Sequence, residues 1–179
     1  MRIALGVGTR AIERLIPQRP PLLLVDRVAW FAPGDAPRVR CARSLDPAEP
    51  VFAAHFPGAP VWPGAYTIEG LGQAANLVAA LDALFAALGP EASQSTLRAI
   101  DEGRPPGGAL EGPPRVGMSG AVDVKLLEPV YPGATLEYEV WRTHARGDAA
   151  RFTVEAWVDR RPVARGSITG ATMPAGAPR

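Results

Sequence analysis

The sequence predicts an α+β fold in which an antiparallel sheet wraps around one long helix. Three observations carry this. Residues 65–88 are the longest apolar stretch in the 179-residue chain, bracketed by Pro63-Gly64 and Gly89-Pro90, which suit a helix start and stop. The second half alternates apolar and polar side chains with period two, the mark of an antiparallel sheet with one wet face. Pro and Gly together supply 39 of the 179 residues, enough for many turns.

Taken in order, residues 3–7 form an apolar run broken by Thr9, Arg10, Glu13 and Arg14. It is too short for a secretory signal core. Residues 22–30 and 39–45 read as strands. Between residues 57 and 64, three prolines and two glycines specify a rigid loop. The helix follows over residues 65–88, about 36 Å long. It has apolar residues all round and should be covered on most sides. Glu69, Gln73 and Asn76 sit at i, i+4 and i+7, a polar stripe on one face. Buried polar groups need partners, so the stripe is either a site or a satisfied internal network.

Residues 89–115 behave differently, because positions 89–114 hold five prolines and five glycines. They read as an insertion into a single domain spanning residues 1–179, either mobile or a lid, with room for a short helix around residues 95–100. Strands follow at 120–128, 135–142, 150–158 and 163–173, with turns at Arg146-Gly147-Asp148 and at residues 159–162. The total is about six strands, and a loose tail from residue 174.

Composition excludes several function classes. Nineteen basic against 18 acidic residues leave a net charge of +1, which gives no support to a nucleic-acid binder. The single cysteine, Cys41, excludes an intramolecular disulfide framework and a cysteine metal cluster. It reads as a packed strand residue in a reducing compartment. His55 and His144 are the two histidines, 89 residues apart, so a metal site is not expected. His144 falls at a strand end and reads as surface. Residues 65–88 could span a bilayer by length, but Glu69, Gln73, Asn76 and Asp82 make insertion expensive. The expectation is a soluble, cytoplasmic protein with no membrane contact.

The chemistry concentrates at His55-Phe56-Pro57-Gly58-Ala59-Pro60-Val61-Trp62-Pro63-Gly64 and the helix behind it. A rigid loop feeding a helix N-terminus presents backbone N–H groups to a ligand oxygen. Gly64 has no side chain to obstruct that approach. One imidazole precedes the loop, and Glu69 stands on the second helical turn among apolar neighbours. Imidazole, a desolvated carboxyl and an oxyanion site are the parts needed for proton abstraction next to a carbonyl.

These residues also carry a resemblance. His55-Phe56-Pro57-Gly58, Pro63-Gly64, Glu69 and Gln73 resemble the motif of the beta-hydroxyacyl-acyl-carrier-protein dehydratases of fatty-acid synthesis. Residues 16–28 and 120–133 resemble that family's flanking signatures. The resemblance implies a hotdog fold and a homodimer with sites at the subunit interface, His55 of one chain acting with Glu69 of the other. It implies a beta-hydroxyacyl thioester substrate on acyl carrier protein or CoA, and no cofactor. His55 would take the proton, Gly64 would hold the enolate oxygen, and Glu69 would protonate the leaving hydroxyl. Gln73 would hold the Glu69 carboxyl or a water. Phe56, Trp62 and Pro63 complete the expected substrate-binding set, Trp62 as a tunnel wall or as packing. Gln18 stands where the family usually has His, Leu126 where it usually has Phe, and Asp123 in a usually basic spot. These departures bear on acyl preference. The alternatives are a hotdog thioesterase, an enoyl-CoA hydratase, or a non-catalytic acyl-binding subunit.

Overall fold

The computed structural model describes residues 1–105, 110 and 115–173. Seven strands form one antiparallel sheet: β1 (Ile3–Val7), β2 (Arg27–Ala32), β3 (Arg38–Ser44), β4 (Val116–Leu126), β5 (Thr135–Arg146), β6 (Ala149–Val158) and β7 (Arg161–Met173), in the order β1-β2-β3-β5-β6-β7-β4. Four helices accompany them: α1 (Thr9–Leu15), α2 (Pro50–Ala54), α3 (Gly64–Leu88) and α4 (Pro90–Asp101). The long helix α3 lies in the curve of the sheet and packs chiefly against β5.

The core follows from the two periodicities. Leu71, Leu77, Val78 and Leu81 of α3 are fully buried, as are Tyr138 and Val140 of β5 and Val154 and Ala156 of β6. The strand period of two turns Phe152, Val154 and Ala156 to the same, buried face of β6. One contact sets how closely sheet and helix approach. A Cβ on Gly70 would lie 2.3 Å from the Tyr138 hydroxyl oxygen, so glycine is required where the ring crosses the helix.

Two hairpins match their turn chemistry. Gly147 and Asp148 join β5 to β6, with Gly147 at φ +58. Asp159 and Arg160 join β6 to β7, both at positive φ, the signature of a primed turn whose twist matches the strands. Cys41 is fully buried in β3 and His144 is exposed near the β5–β6 hairpin.

Several elements differ from the sequence expectation. The sheet has seven strands, because residues 3–7 form β1 and pair with β2. Strand β2 starts at Arg27 rather than at residue 22. Residues 23–25 are buried outside the sheet, and the Gln73 side chain serves the Leu22 carbonyl and the Leu24 N–H where a neighbouring strand would have done so. The first half of the supposed insertion is the ordered helix α4. Ser93, Leu97 and Ile100 bury one face of it, and Ser93 Oγ donates to the Gly89 carbonyl at 2.6 Å. The rest of the insertion lies largely outside the described residues.

Coverage of α3 is uneven. Its buried residues lie on the face toward the sheet, while Ala65, Glu69 and Ala83 are exposed and Gly72, Asn76 and Ala79 half-buried. This open stripe runs the length of the helix. Strand β4 is the sheet's edge and most of it is exposed, including Val122 and Leu126. These two pair with Ile168 and Ala164 of β7, which are buried. Partners across a ladder point to the same face, so Val122 and Leu126 sit on the helix side of the sheet, each about half exposed among the described residues.

Candidate active site

Helix α2 ends at His55, whose N–H donates to the Val51 carbonyl at 2.9 Å. The chain then folds back on itself. Phe56 and Ala59 exchange N–H···O bonds of 3.1 and 2.9 Å around Gly58, which sits at φ +76 where an L side chain is strained. The Val61 N–H donates to the His55 carbonyl at 2.8 Å, and the Trp62 N–H to the Val130 carbonyl at 2.8 Å. The loop is therefore tied both to itself and to the segment after β4.

This folding orients the imidazole. His55 Nδ1 lies 2.9 Å from the Val61 carbonyl oxygen. A carbonyl only accepts, so Nδ1 carries the hydrogen in that contact, and in the neutral ring the lone pair is then on Nε2. The ring is half-buried and stacks on Phe56, centroids 4.0 Å apart. Phe56 itself is exposed.

His55, Trp62 and Gly64 line one cavity of about 290 Å³, closed on its other side by Leu126, Leu127, Glu128, Pro129, Val130 and Val163. Helix α3 begins at its edge. The first intrahelical bonds run from the Tyr66 and Thr67 N–H groups to the Pro63 carbonyl, so the Gly64 and Ala65 N–H groups precede them and are free of helical acceptors. A side chain at 64 would also displace Leu126, since a Cβ there would lie 2.2 Å from Leu126 Cδ1. Trp62 is 3% exposed and packs against Phe52 and Tyr66. Its indole Nε1 is buried with no partner among the described residues.

Glu69 and Gln73 lie apart from this cavity. Gln73 is 1% exposed and fully engaged. Its Nε2 donates to the Leu22 carbonyl (2.7 Å) and to Glu69 Oε1 (3.0 Å), and its Oε1 accepts from the Leu24 N–H (2.8 Å). Glu69 is thus held by a rigid neighbour, but it is exposed in the single chain. The expectation that its own helix desolvates the carboxyl is corrected, because Glu69 stands on the open stripe of α3. Pro63 caps the helix start and does not line the cavity.

Sequence reasoning did not single out Val61, Thr67 or residues 127–130 as site residues. The Val61 carbonyl is a backbone group and leaves no trace in residue identity. Residues 128–130 had a signal, in the Glu128-Pro129-Val130 run that resembles the downstream signature.

Comparison with known proteins places the chain by sequence and by fold. Residues 16–104 match the family model described as a FabA-like domain. The chain is 35% identical over 153 residues to a protein from Anaeromyxobacter sp. (strain K) named 3-hydroxyacyl-[acyl-carrier-protein] dehydratase FabZ, covering 86% of this chain and 82% of the relative. A protein of the same name from a Nitratiruptor species is 31% identical over 158 residues, covering 88% and 91%. Among solved structures, the dehydratase heterocomplex ApeI:P from Xenorhabdus doucetiae superposes with a TM-score of 0.61 at 14% identity, over 92% of this chain and 91% of that one. The HP0420 homologue from Helicobacter felis gives a TM-score of 0.54 at 13% identity, over 92% and 90%. These neighbours share the hotdog fold, and by sequence the chain belongs to the 3-hydroxyacyl-[acyl-carrier-protein] dehydratase FabZ family.

Proposed function

We propose that two copies of this chain dehydrate a β-hydroxyacyl thioester, with His55 of one copy and Glu69 of the other as the acid–base pair. The observation that carries this reading is the His55 imidazole, oriented by the Val61 carbonyl in a cavity that begins α3 at Gly64. His55 Nε2 takes the proton from the carbon next to the thioester carbonyl. The electron pair moves onto the carbonyl oxygen, which the Gly64 N–H and the positive end of the α3 dipole stabilise. The pair then returns to form the carbon–carbon double bond as the β-carbon–oxygen bond breaks. Glu69 gives its proton to the departing hydroxyl, which leaves as water. A proton returns from imidazolium to carboxylate through solvent to reset the pair.

Three features support a homodimer. His55 and Glu69 of one chain do not line a common cavity. The stripe bearing Glu69 is open along α3, and the adjoining β4 edge leaves Val122 and Leu126 uncovered. A second copy laid along this edge would cover all three and take Glu69 out of water.

The reaction written here needs no cofactor. The thioester arrives on the phosphopantetheine of acyl carrier protein, with CoA as the other carrier, in fatty-acid synthesis. We place the enzyme in the cytoplasm, where the buried free thiol of Cys41 is at home.

Subunit mixing tests the reading. His55→Ala and Glu69→Gln homodimers should each fail to hydrate an enoyl thioester, followed by loss of its conjugated absorbance. Mixed and refolded together, they should recover about a quarter of wild-type activity, because half the dimers are hybrids with one intact site. No recovery from well-folded hybrids would refute the shared site. Release of free thiol would identify hydrolysis instead.

A further inference from the structure

Beyond Glu69 the open stripe of α3 continues through Gly72 to Asn76. There a second cavity of about 110 Å³ lies between α3, the start of β4 and the β5–β6 hairpin. Much of its wall is glycine and alanine, so the space exists because side chains are missing. Three larger polar groups break that pattern. Arg142 is already answered by Asp82 at 2.8 Å and Asp148 by Arg115 at 3.1 Å, so the cavity does not call for a charged ligand. The third is Asn76.

The Asn76 carboxamide makes no hydrogen bond among the described residues, whereas Gln73 in the same polar stripe has three partners. The sheet makes room for it: a Cβ on Gly117 of β4 would lie 1.8 Å from Asn76 Oδ1. The half-buried amide is therefore open to water in the single chain, and a ligand laid along the stripe must replace that water with hydrogen bonds of its own. The amide offers both donors and an acceptor.

We propose that Asn76 forms a subsite for a hydroxyl on the distal part of the acyl chain, so that the enzyme favours hydroxylated acyl thioesters over plain alkyl ones. The inference rests on the reading that places Glu69 at the β-carbon. Asn76 lies seven residues further along α3, about 10 Å. An extended chain advances about 1.2 Å per bond, so an oxygen about eight bonds past the β-carbon reaches the amide. A hydroxyl fits best because it uses both faces of the amide, donating to Oδ1 and accepting from Nδ2.

The test is calorimetric binding of two pantetheine thioesters, decanoyl and its terminally hydroxylated counterpart. Wild-type protein should bind the hydroxylated chain about five- to tenfold more tightly, the worth of one or two modest hydrogen bonds. Asn76→Leu should abolish the preference and bind the plain chain at least as well. Asn76→Ala, which adds no bulk against Gly117, should abolish it too. Equal affinity of the wild-type protein for both thioesters, or a preference that survives both substitutions, overturns the proposal. Failure of the Glu69 assignment would appear elsewhere, as retained hydration activity in Glu69→Gln, while the affinity ratio reports on the subsite alone.

Discussion

Replacing Gln73 with leucine removes one side chain and three hydrogen bonds at once. The Leu22 carbonyl and the Leu24 N–H lose partners at 2.7 and 2.8 Å, and Glu69 loses the donor at 3.0 Å that holds it. Residues 23–25 are buried with no strand beside them to take over. A buried backbone group left unsatisfied costs about 1–3 kcal/mol. The Leu24 N–H carries that cost, while the Leu22 carbonyl, on an exposed residue, can turn to water, so the loss should be about 1–3 kcal/mol, or a fall in Tm of about 2–12 °C for a chain of this size. Freed from Nε2, the Glu69 carboxyl samples other rotamers, and kcat should fall about ten- to a hundredfold. Glu69→Gln separates the two effects. It leaves the Gln73 bonds to the Leu22 carbonyl and the Leu24 N–H in place, so it should keep Tm near the wild-type value while activity is lost. Thermal melts and enoyl-thioester hydration read both quantities. A Gln73→Leu protein with unchanged Tm and unchanged kcat would refute the reasoning.

Other substitutions probe the close approaches. Gly70→Ala drives a Cβ to 2.3 Å from the buried Tyr138 hydroxyl, where the ring has nowhere to go, and should cost about 3 kcal/mol in a denaturant titration. Gly64→Ala meets Leu126 Cδ1 at 2.2 Å. That leucine is half exposed and can swing away, so stability should change by less than about 1 kcal/mol while hydration activity falls, and Leu126→Ala in the same chain should restore part of it. Burial pushes the Cys41 thiol up, which depletes the reactive thiolate. An aromatic disulfide reagent at mildly alkaline pH should therefore leave the folded protein unlabelled and take up one equivalent on unfolding.

Much of the fold was legible in the sequence, and its gaps have local causes. Helix α3 was bounded by Pro63-Gly64 and Gly89-Pro90, and those bounds are observed. Strands β5 and β6 followed from alternation because one sheet face is wet, and β7 from the turn at residues 159–162 before it. Helix α4 was obscured by averaging. Apart from Gly89 and Pro90, every proline and glycine counted between residues 89 and 114 falls after residue 101, and the stretch between is free of both. Strand β1 has only five residues, too few for a periodic signal. Residues 23–25 look like a strand by composition, but Gln73 meets their backbone from the helix. The site was legible as residues and not as an assembly. His55 and Gly64 do line one cavity, but the exposure of Glu69 depends on which face of α3 the chain itself covers. A helix with apolar residues all round does not reveal that in its sequence.

The uncovered β4 edge also bears on how the protein behaves when dilute or newly made. An eleven-residue strand with one free ladder edge is a template for any extended chain, and such edges promote aggregation. Two features narrow what can join it. The register shifts between Ser119 and Ala121, which bends the strand and spoils long straight pairing. Asp123 and Lys125 point away from the helix side, alternating with Val122 and Leu126, and an antiparallel copy in the right register sets opposite charges near one another. A chain slipped by one residue would turn Val122 and Leu126 to water instead. Specific activity, which dilution alone would leave unchanged, should therefore fall as the protein is diluted, and turbidity on slow dilution should rise when Lys125 is replaced by leucine.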